Sequence, residues 1–298
     1  MDRIKKVINK PSLLLAYLLR KIARVIPDKV QLTLLHRVYI GSFVNWTNPR
    51  TFTEKLQWLK IYNRNPLYTK LVDKFAVKDY VANKIGESYI IPTIAVWDNP
   101  NDIDWESLPN QFVLKTTHGG GACGVFICKD KLSFNRQDCI RGLKKSLKSD
   151  LYWSFREWPY KNVPKRIIAE KYISEGKDLR DYKFFCFNGK VEFFKIDFGR
   201  FTTHRANYYS REGTILPFGE EMCPPDFTAE LILPGNLSEM ILVAEKLSED
   251  LPFVRVDLYN VNGKILFGEI TFYPASGFGQ FTVEETNRKL GDMLILNL

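Results

Sequence analysis

Twice in the C-terminal part of this sequence an Asn-Gly pair stands between two apolar runs, and nothing else in the chain constrains the fold as much. Residues 183–187 and 191–197 flank Asn188-Gly189; residues 253–258 and 265–271 flank Asn262-Gly263. Asn and Gly tolerate the positive φ that a two-residue hairpin turn demands, so each pair predicts two antiparallel strands. Further strands are expected at 90–97, where Pro92 marks an edge, at 112–115 with 124–128 as its hairpin partner, and at 166–173. Helices are expected on either side. The Asn48-Pro49-Arg50-Thr51 turn can cap a helix over 52–62, where Phe52, Leu56, Leu59 and Ile61 recur at near-helical spacing. Pro66 opens a second helical segment with Leu67, Leu71, Phe75, Tyr80 and Val81 as apolar members; 134–158 is helix-rich, and 237–247 is a helix. Antiparallel hairpins with few βαβ units make the class α+β. The one G-x-G-x-x-G match, Gly119 to Gly124, runs into the strand expected at 124–128 rather than into a helix, so a Rossmann reading is weak.

The chain has 298 residues, 45% of them hydrophobic, enough for one or two compact domains. Its formal net charge of +9 points to an anionic partner, whether nucleotide phosphate, acidic glycan, lipid headgroup or nucleic acid. The 5 cysteines are odd in number and form no C-x-x-C pair, so neither a disulfide framework nor a cysteine zinc site is expected. That usage suits a reducing cytoplasm. His36, His118 and His204 are far apart, which argues against a histidine metal site.

No apolar stretch reaches the roughly 20 residues that span a bilayer. At the N-terminus, Arg3, Lys5, Lys6 and Lys10 precede the apolar run 13–19, and Arg20, Lys21 and Arg24 follow it without a cleavage site. An amphipathic basic helix fits this pattern better than a removed signal peptide. Leu14, Leu18, Ile22 and Val25 share one face and Arg20, Lys21 and Arg24 another. Such a helix either packs on its own domain or meets a membrane surface.

Three constellations carry chemistry. Lys115-Thr116-Thr117-His118-Gly119-Gly120-Gly121 follows a strand; glycines let backbone N–H groups approach a phosphate and the lysine adds a point charge. An ordinary flexible hairpin loop would look the same, and no Walker ending is present. Asp257 and Glu269 lie in the apolar strands of one hairpin. A carboxylate there is costly unless paired or holding a cation, and magnesium takes such oxygens; the alternative is an exposed cross-strand face. Glu170-Lys171-Tyr172-Ile173 precedes Asp181-Tyr182-Lys183, and alternation puts Asp181 and Lys183 on one face. They could meet ribose and phosphate; a surface ion pair would explain the pattern as well.

The order of these elements resembles the ATP-grasp superfamily. Within it the chain is similar to the TupA-like ATP-grasp family of teichuronopeptide and capsular or O-antigen polysaccharide biosynthesis. The resemblance runs from about Phe52 to the C-terminus. It is carried by the stretches EKLQWLK from Glu54, DKFAVK from Asp73, Leu114-Lys115 with His118-Gly119, DYKFFCFNG from Asp181 and FVRVDLY from Phe253. It implies two α+β subdomains that clamp ATP, behind a helical N-terminal region. The corresponding divisions are a basic amphipathic segment (1–30), helices (31–88), a lid with the Gly-rich loop (89–172) and a C-terminal subdomain with the metal site (173–298).

The resemblance also implies roles. Lys78 and Lys115 flank the nucleotide phosphates, and His118 with Gly119, Gly120 and Gly121 forms the closing loop. Glu170 lies at the adenine side, and the backbone of Lys171, Tyr172 and Ile173 reads the base. Asp181 reaches ribose and Lys183 the triphosphate. Asp257 and Glu269 hold magnesium, with Thr271 where many such ligases carry asparagine; Thr117 likewise stands where relatives have asparagine. Lys115, Lys183 and Arg255 are the implied catalytic cations. Arg200, His204, Arg205, Ser276 and Gly277 are the substrate candidates, with Arg211 in the same basic segment.

The implied activity is a carboxylate–amine ligase that works through an acylphosphate with ATP and Mg2+. It would couple a uronic-acid carboxylate to an amino acid or amine, in the cytoplasm or at the inner face of the membrane, without nucleic acid. A glycosyltransferase and a non-catalytic acidic-glycan-binding protein are the alternatives. The first has one Asp-x-Asp match, Asp102-Ile103-Asp104 in a polar loop. The second has no need of Asp257 and Glu269.

Overall fold

The computed structural model describes residues 11–120, 124–175, 179–199 and 203–296. The expectations at Gly121 and Arg200 lie outside these residues.

The N-terminal third is helical: α1 (Pro11–Lys21), a 3-10 turn (Ala23–Val25), α2 (Asp28–Tyr39), α3 (Phe52–Tyr62), α4 (Leu67–Val72) and α5 (Val77–Ile85). Thr51 closes a full capping box with Glu54 at the start of α3, as the turn before it predicts. The segment after Pro66 is two helices rather than one. Asp73 stands between them in extended backbone, and its carboxylate accepts from the Phe75 and Ala76 N–H groups at 2.9 and 3.2 Å. This local bond competes with the helix ladder and stops it.

The N-terminal helix turns a different face inward than its leucines suggest. Ala16 and Leu19 pack with Leu32 and Leu35 of α2 and with Phe278, and Ala23 of the following turn is buried, while Leu14, Leu18, Ile22 and Val25 stay exposed. Two alanines let the helix axes approach closely, and at about 100° per residue the two stripes fall on nearly opposite sides.

Two antiparallel sheets follow. The first joins β1 (Thr93–Trp97), β2 (Phe112–Thr116), β3 (Val125–Cys128) and β4 (Ile167–Lys171) in the order β1-β4-β2-β3. The intervening α6 (Arg136–Leu147) covers it: Cys139 and Leu143 pack with Phe112, Leu114, Cys128, Ile167 and Ala169. A five-residue helix, α7 (Leu151–Phe155), completes the connection.

The second sheet joins β5 (Asp181–Phe187), β6 (Lys190–Phe198), β7 (Arg205–Ser210), β8 (Phe253–Val261) and β9 (Lys264–Thr271) in the order β7-β6-β5-β8-β9. Asn188, Gly189, Asn262 and Gly263 all take positive φ, as the hairpins require. β7 lies where the sequence suggested a basic segment of sugar contacts or a solvated loop; Ala206, Asn207, Tyr208 and Tyr209 are all buried in it. Tyr182, Phe184 and Cys186 of β5 and Val254, Val256 and Leu258 of β8 form the apolar face, covered by α8 (Leu237–Ser248) through residues such as Met240, Ala244 and Leu247. The other face carries the charges. The last helix, α9 (Thr286–Met293), returns to the start of α3, where a side chain at Gly291 would collide with the Arg50 carbonyl.

Thr51→Ala removes one half of the capping box and is expected to lower the unfolding free energy by about 1 kcal/mol, read from urea midpoints at constant slope. Gly124, at φ +83°, ends the Gly-rich segment where an added Cβ would collide with Ser146. Gly124→Ala is expected to cost more than about 1 kcal/mol in the same titration.

Candidate active site

The charged face of the second sheet is organised by two β-bulges. Read outward from its turn, the β8–β9 hairpin would place Asp257 opposite Gly268 and aim Glu269 at the apolar face. A bulge at Asp257/Leu258 instead pairs Asp257 with Glu269. Gly268 is the inserted residue; a Cβ there would stand 2.9 Å from the Asp257 carbonyl oxygen. The β5–β6 hairpin repeats the device: a bulge at Phe185/Cys186 pairs Lys183 with Lys195 rather than with Phe194. An inserted residue reverses the facing of everything beyond it. Glu269, Asp257, Lys183, Lys195 and Tyr208 thereby form one unbroken row across all five strands. Asp181 and Asp197, themselves a cross-strand pair, flank the row on one side, and Arg255 and Thr271 flank it on the other.

Each charge in this face has a counter-charge. Lys183 Nζ donates to Asp181 Oδ2 at 2.8 Å and to Asp197 Oδ2 at 2.5 Å. Lys195 Nζ donates to Glu220 Oε2 at 2.9 Å and lies 3.7 Å from Asp197 Oδ1. Arg255 grips Asp257 with Nε and Nη2 at 2.6 and 2.7 Å and also donates to the Thr271 hydroxyl at 3.1 Å. Lys74, just before α5, donates to Glu269 Oε2 at 3.0 Å and to the Gly119 carbonyl at 2.8 Å. One lysine thus links the Gly-rich loop of the first sheet to a carboxylate of the second.

Burial and pairing set the ionisation. Burial alone would raise the Glu269 carboxyl, but Lys74 and Arg255 outweigh it and hold the group down to about 2. Asp257 is pushed up to about 6 by burial, against the pull of Arg255 and Lys183. Lys183 is raised: burial would lower it, and Asp181, Asp257 and Asp197 prevail. Two carboxylates on paired strands with the Thr271 hydroxyl beside them are hard oxygen donors of the kind magnesium takes, so this donor set fits that ion.

The first sheet brings a second charged cluster. Glu170 of β4, 4% exposed, accepts from Lys78 of α5 at 2.6 Å and from Lys115 of β2 at 2.5 Å. Lys78 also donates to the Ile91 carbonyl and the Thr93 hydroxyl, both at 2.7 Å, so all three of its N–H groups are engaged. The Lys171 N–H bonds the Pro92 carbonyl at 3.0 Å. Tyr172 and Ile173 are half-buried as the chain leaves β4 toward Asp181. His118 is buried beside Ser146 and Ser149, and burial lowers its ring pKa; Gly120 is exposed.

The substrate candidates separate. His204 Nε2 lies 3.6 Å from Asp197 Oδ2, and Arg205 opens β7, so both stay near the charged face. Arg211 does not. Beyond the far end of β7, it donates to Glu245 at 2.6 Å and to the Val191 carbonyl at 3.1 Å, because the strand carries it past the row to α8. Ser276 and Gly277 form a tight turn after β9 with Ala275, Ser276 and Gly277 all at positive φ. Such backbone costs about 1–3 kcal/mol per non-glycine residue and must be held. Gln57 donates to the Gly277 carbonyl at 2.7 Å, the buried Lys60 to the Ser276 carbonyl at 2.7 Å, and the Ser276 hydroxyl to Glu157 at 2.6 Å.

Among the described residues, Asp197, His204 and Cys223 also bring donor atoms within 4.8 Å of one another. Asp197 of this group also pairs with Lys183 and lies 3.7 Å from Lys195. Asp104, from the one Asp-x-Asp match, instead accepts from the Glu106 and Ser107 N–H groups in a turn of the first sheet's unit.

Sequence reasoning missed Lys74, Lys195 and Glu220. Lys74 had a signal, since it adjoins Asp73 in the same DKFAVK stretch as Lys78. Lys195 had none, because its facing depends on a bulge, and Glu220 comes from an irregular segment.

No curated protein matches the chain. Solved structures similar to it include the D-alanine–D-alanine ligase of Bacillus anthracis, at 16% identity over 75% of this chain and 66% of that one, with a TM-score of 0.43. The Helicobacter pylori D-alanine–D-alanine ligase has 15% identity over 90% of this chain and 69% of that one, with a TM-score of 0.44. The D-cycloserine synthetase DcsG has 16% identity, coverage of 77% and 71%, and a TM-score of 0.43. The chain thus spans about two thirds of the length of these ligases. A sequence profile matches residues 54–295, and by that match the chain belongs to the TupA-like ATP-grasp family.

Proposed function

We propose that this protein is a carboxylate–amine ligase that consumes ATP and passes through an acylphosphate. The observation that carries the reading is the row Glu269–Asp257–Lys183–Lys195, half-buried at Glu269 and buried at the other three, tied through Lys74 to the Gly-rich loop. A triphosphate is polyanionic, and a site for one needs cations for its oxygens and carboxylates for a bridging metal. Here both stand side by side on one sheet face, with only Glu269 half-exposed.

Asp257, Glu269 and Thr271 are the residues that would hold magnesium, which when bound supplies positive charge for the transferring phosphoryl group. Lys115 and Lys74 take the phosphates from the lid side, and Lys183 and Lys195 from the floor. Glu170 and the backbone of 171–173 receive the base, and Asp181 the ribose. Arg255, fixed by Asp257, faces the substrate oxygen. In the first step a carboxylate oxygen attacks the γ-phosphorus, the bond to the β-bridging oxygen breaks, and ADP leaves. In the second an amine attacks the acyl carbon, phosphate departs, and the nitrogen loses a proton. The lid (89–172) closes on the C-terminal subdomain (173–298) to exclude water. The carboxylate is that of a uronic acid in a surface-polysaccharide precursor, the amine an amino acid, and the compartment the cytoplasm. The family resemblance and the basic segment with Arg200, His204 and Arg205 support this choice.

Asp257→Asn and Glu269→Gln are each expected to lower kcat more than about 100-fold in coupled ADP-release assays, with circular dichroism unchanged. Near-normal turnover in either removes the metal assignment. Lys115→Ala takes away a charge-assisted bond worth about 1.5–3 kcal/mol. Calorimetry is expected to register a loss of ATP affinity of roughly 10- to 150-fold.

The reaction itself is tested with a uronic acid labelled with heavy oxygen in its carboxylate. One label is expected in the released phosphate, and hydroxylamine in place of the amine is expected to trap a hydroxamate. Label in AMP would mean adenylation and would end the acylphosphate reading.

A further inference from the structure

We propose that the outer face of α1 and the turn after it is a docking surface for a membrane with acidic headgroups. This goes beyond the ligase reading and does not depend on it. The helix is apolar on two sides. Its inner stripe, Ala16, Leu19 and Ala23, is at most 4% exposed, with Ala16 and Leu19 packed against α2 and Phe278. Its outer stripe is uncovered: Leu14 is 47% exposed, Leu18 and Ile22 50%, and Val25 82%. Leu15 and Tyr17 are exposed beside them. An aliphatic surface of this kind on one short helix is unlike scattered single exposures.

Charge selects the occupant. Lys21 and Arg24 are exposed on the same segment, Lys21 over the Tyr17 ring and Arg24 over the half-buried Trp153 ring. Asp28, the acidic residue that follows the turn, is held by Arg64 at 2.6 Å and by Arg156. In the sequence, residues 1–10 hold four basic residues and one acid, Asp2. A second copy of the chain would meet this face in an isologous contact, basic groups against basic groups. A bilayer offers both complements at once: acyl chains for the leucine stripe and acidic headgroups for the cations, with aromatic residues at the boundary. No helix among the described residues is long and apolar enough to cross a membrane, so the contact lies in the interface plane. The packed inner stripe makes α1 a rigid link between that plane and the rest of the protein.

The test is co-sedimentation of the full chain with vesicles of phosphatidylglycerol and phosphatidylcholine, against vesicles of phosphatidylcholine alone. Binding is expected on the acidic vesicles and to weaken with salt. Lys21→Glu with Arg24→Glu is expected to lower partition at least about tenfold, since each basic group near such a surface contributes roughly a fivefold factor. Leu18→Asp with Ile22→Asp is expected to abolish it, while thermal unfolding and ATP binding stay as in the wild type. Val25→Asp repeats the test at the most exposed of the four positions. Wild-type protein that stays in the supernatant with acidic vesicles overturns the proposal, as does unchanged partition of the aspartate variants. A concentration-dependent dimer in sedimentation velocity that those variants dissolve would assign the face to a second copy and overturn it as well.

Discussion

The charged face depends on two inserted residues. Without the bulge at Gly268, Asp257 and Glu269 would lie on opposite faces of β8–β9, one of them in the core under α8. Without the bulge at Glu192, Lys195 would take that place instead of standing beside Lys183. A carboxylate or ammonium in an apolar core costs several kcal/mol, so the alternate registers are closed by the same charges that the bulges align. Site and fold therefore specify each other: the bulges position the charges, and the charges fix the bulges. Gly268 shows the local requirement, since the inserted backbone passes so near the Asp257 carbonyl that any Cβ would crowd it.

Aligning the charges creates an electrostatic problem that the rest of the molecule solves. Glu269 and Asp257 would repel each other across one pair of strands. Arg255, two residues along β8, answers one of them bidentately, and Lys74 reaches from the helical region to answer the other. Lys183 sits between Asp181 and Asp197, and Lys195 between Asp197 and Glu220. Buried pairs of this kind contribute little net stability but are expensive to break singly. On the proposed reading, magnesium and the triphosphate substitute for contacts the protein makes with itself: the metal for Lys74 at Glu269, the phosphates for the carboxylates at Lys183. On that reading the charges have partners with and without the ligands; in this structure the partners are the protein's own groups.

What was legible in the sequence divides along the same line. Local chemistry could be read. The two Asn-Gly hairpins, the capped α3 and the strand before the Gly-rich segment depend on residues within a few positions of one another, and the structure has them where the pattern puts them. The pairing of Asp257 with Glu269 was right only in outline, because a period-two reading from the turn gives the wrong face. β7 was missed because Arg205, Asn207 and Ser210 make the segment read as polar, and its buried residues 206–209 are covered only once β6 pairs beside it. The break between α4 and α5 turns on one aspartate that caps its own chain, a signal weaker than the apolar period running through it.

The N-terminal helix marks the limit of periodicity in a different way. Spacing along the helix identifies its most apolar face, and a reading by spacing alone turns that face inward. Packing against a neighbouring helix is governed by approach distance as well as by apolarity, and Ala16 and Ala23 permit an approach that Leu14, Leu18 and Ile22 do not. The smaller stripe is therefore inside and the larger one outside. A helix whose greater apolar area faces outward has not finished burying it within its own chain. On the proposed reading the lysines and arginines around that face disfavour its pairing with itself, and a surface both apolar and acidic completes it.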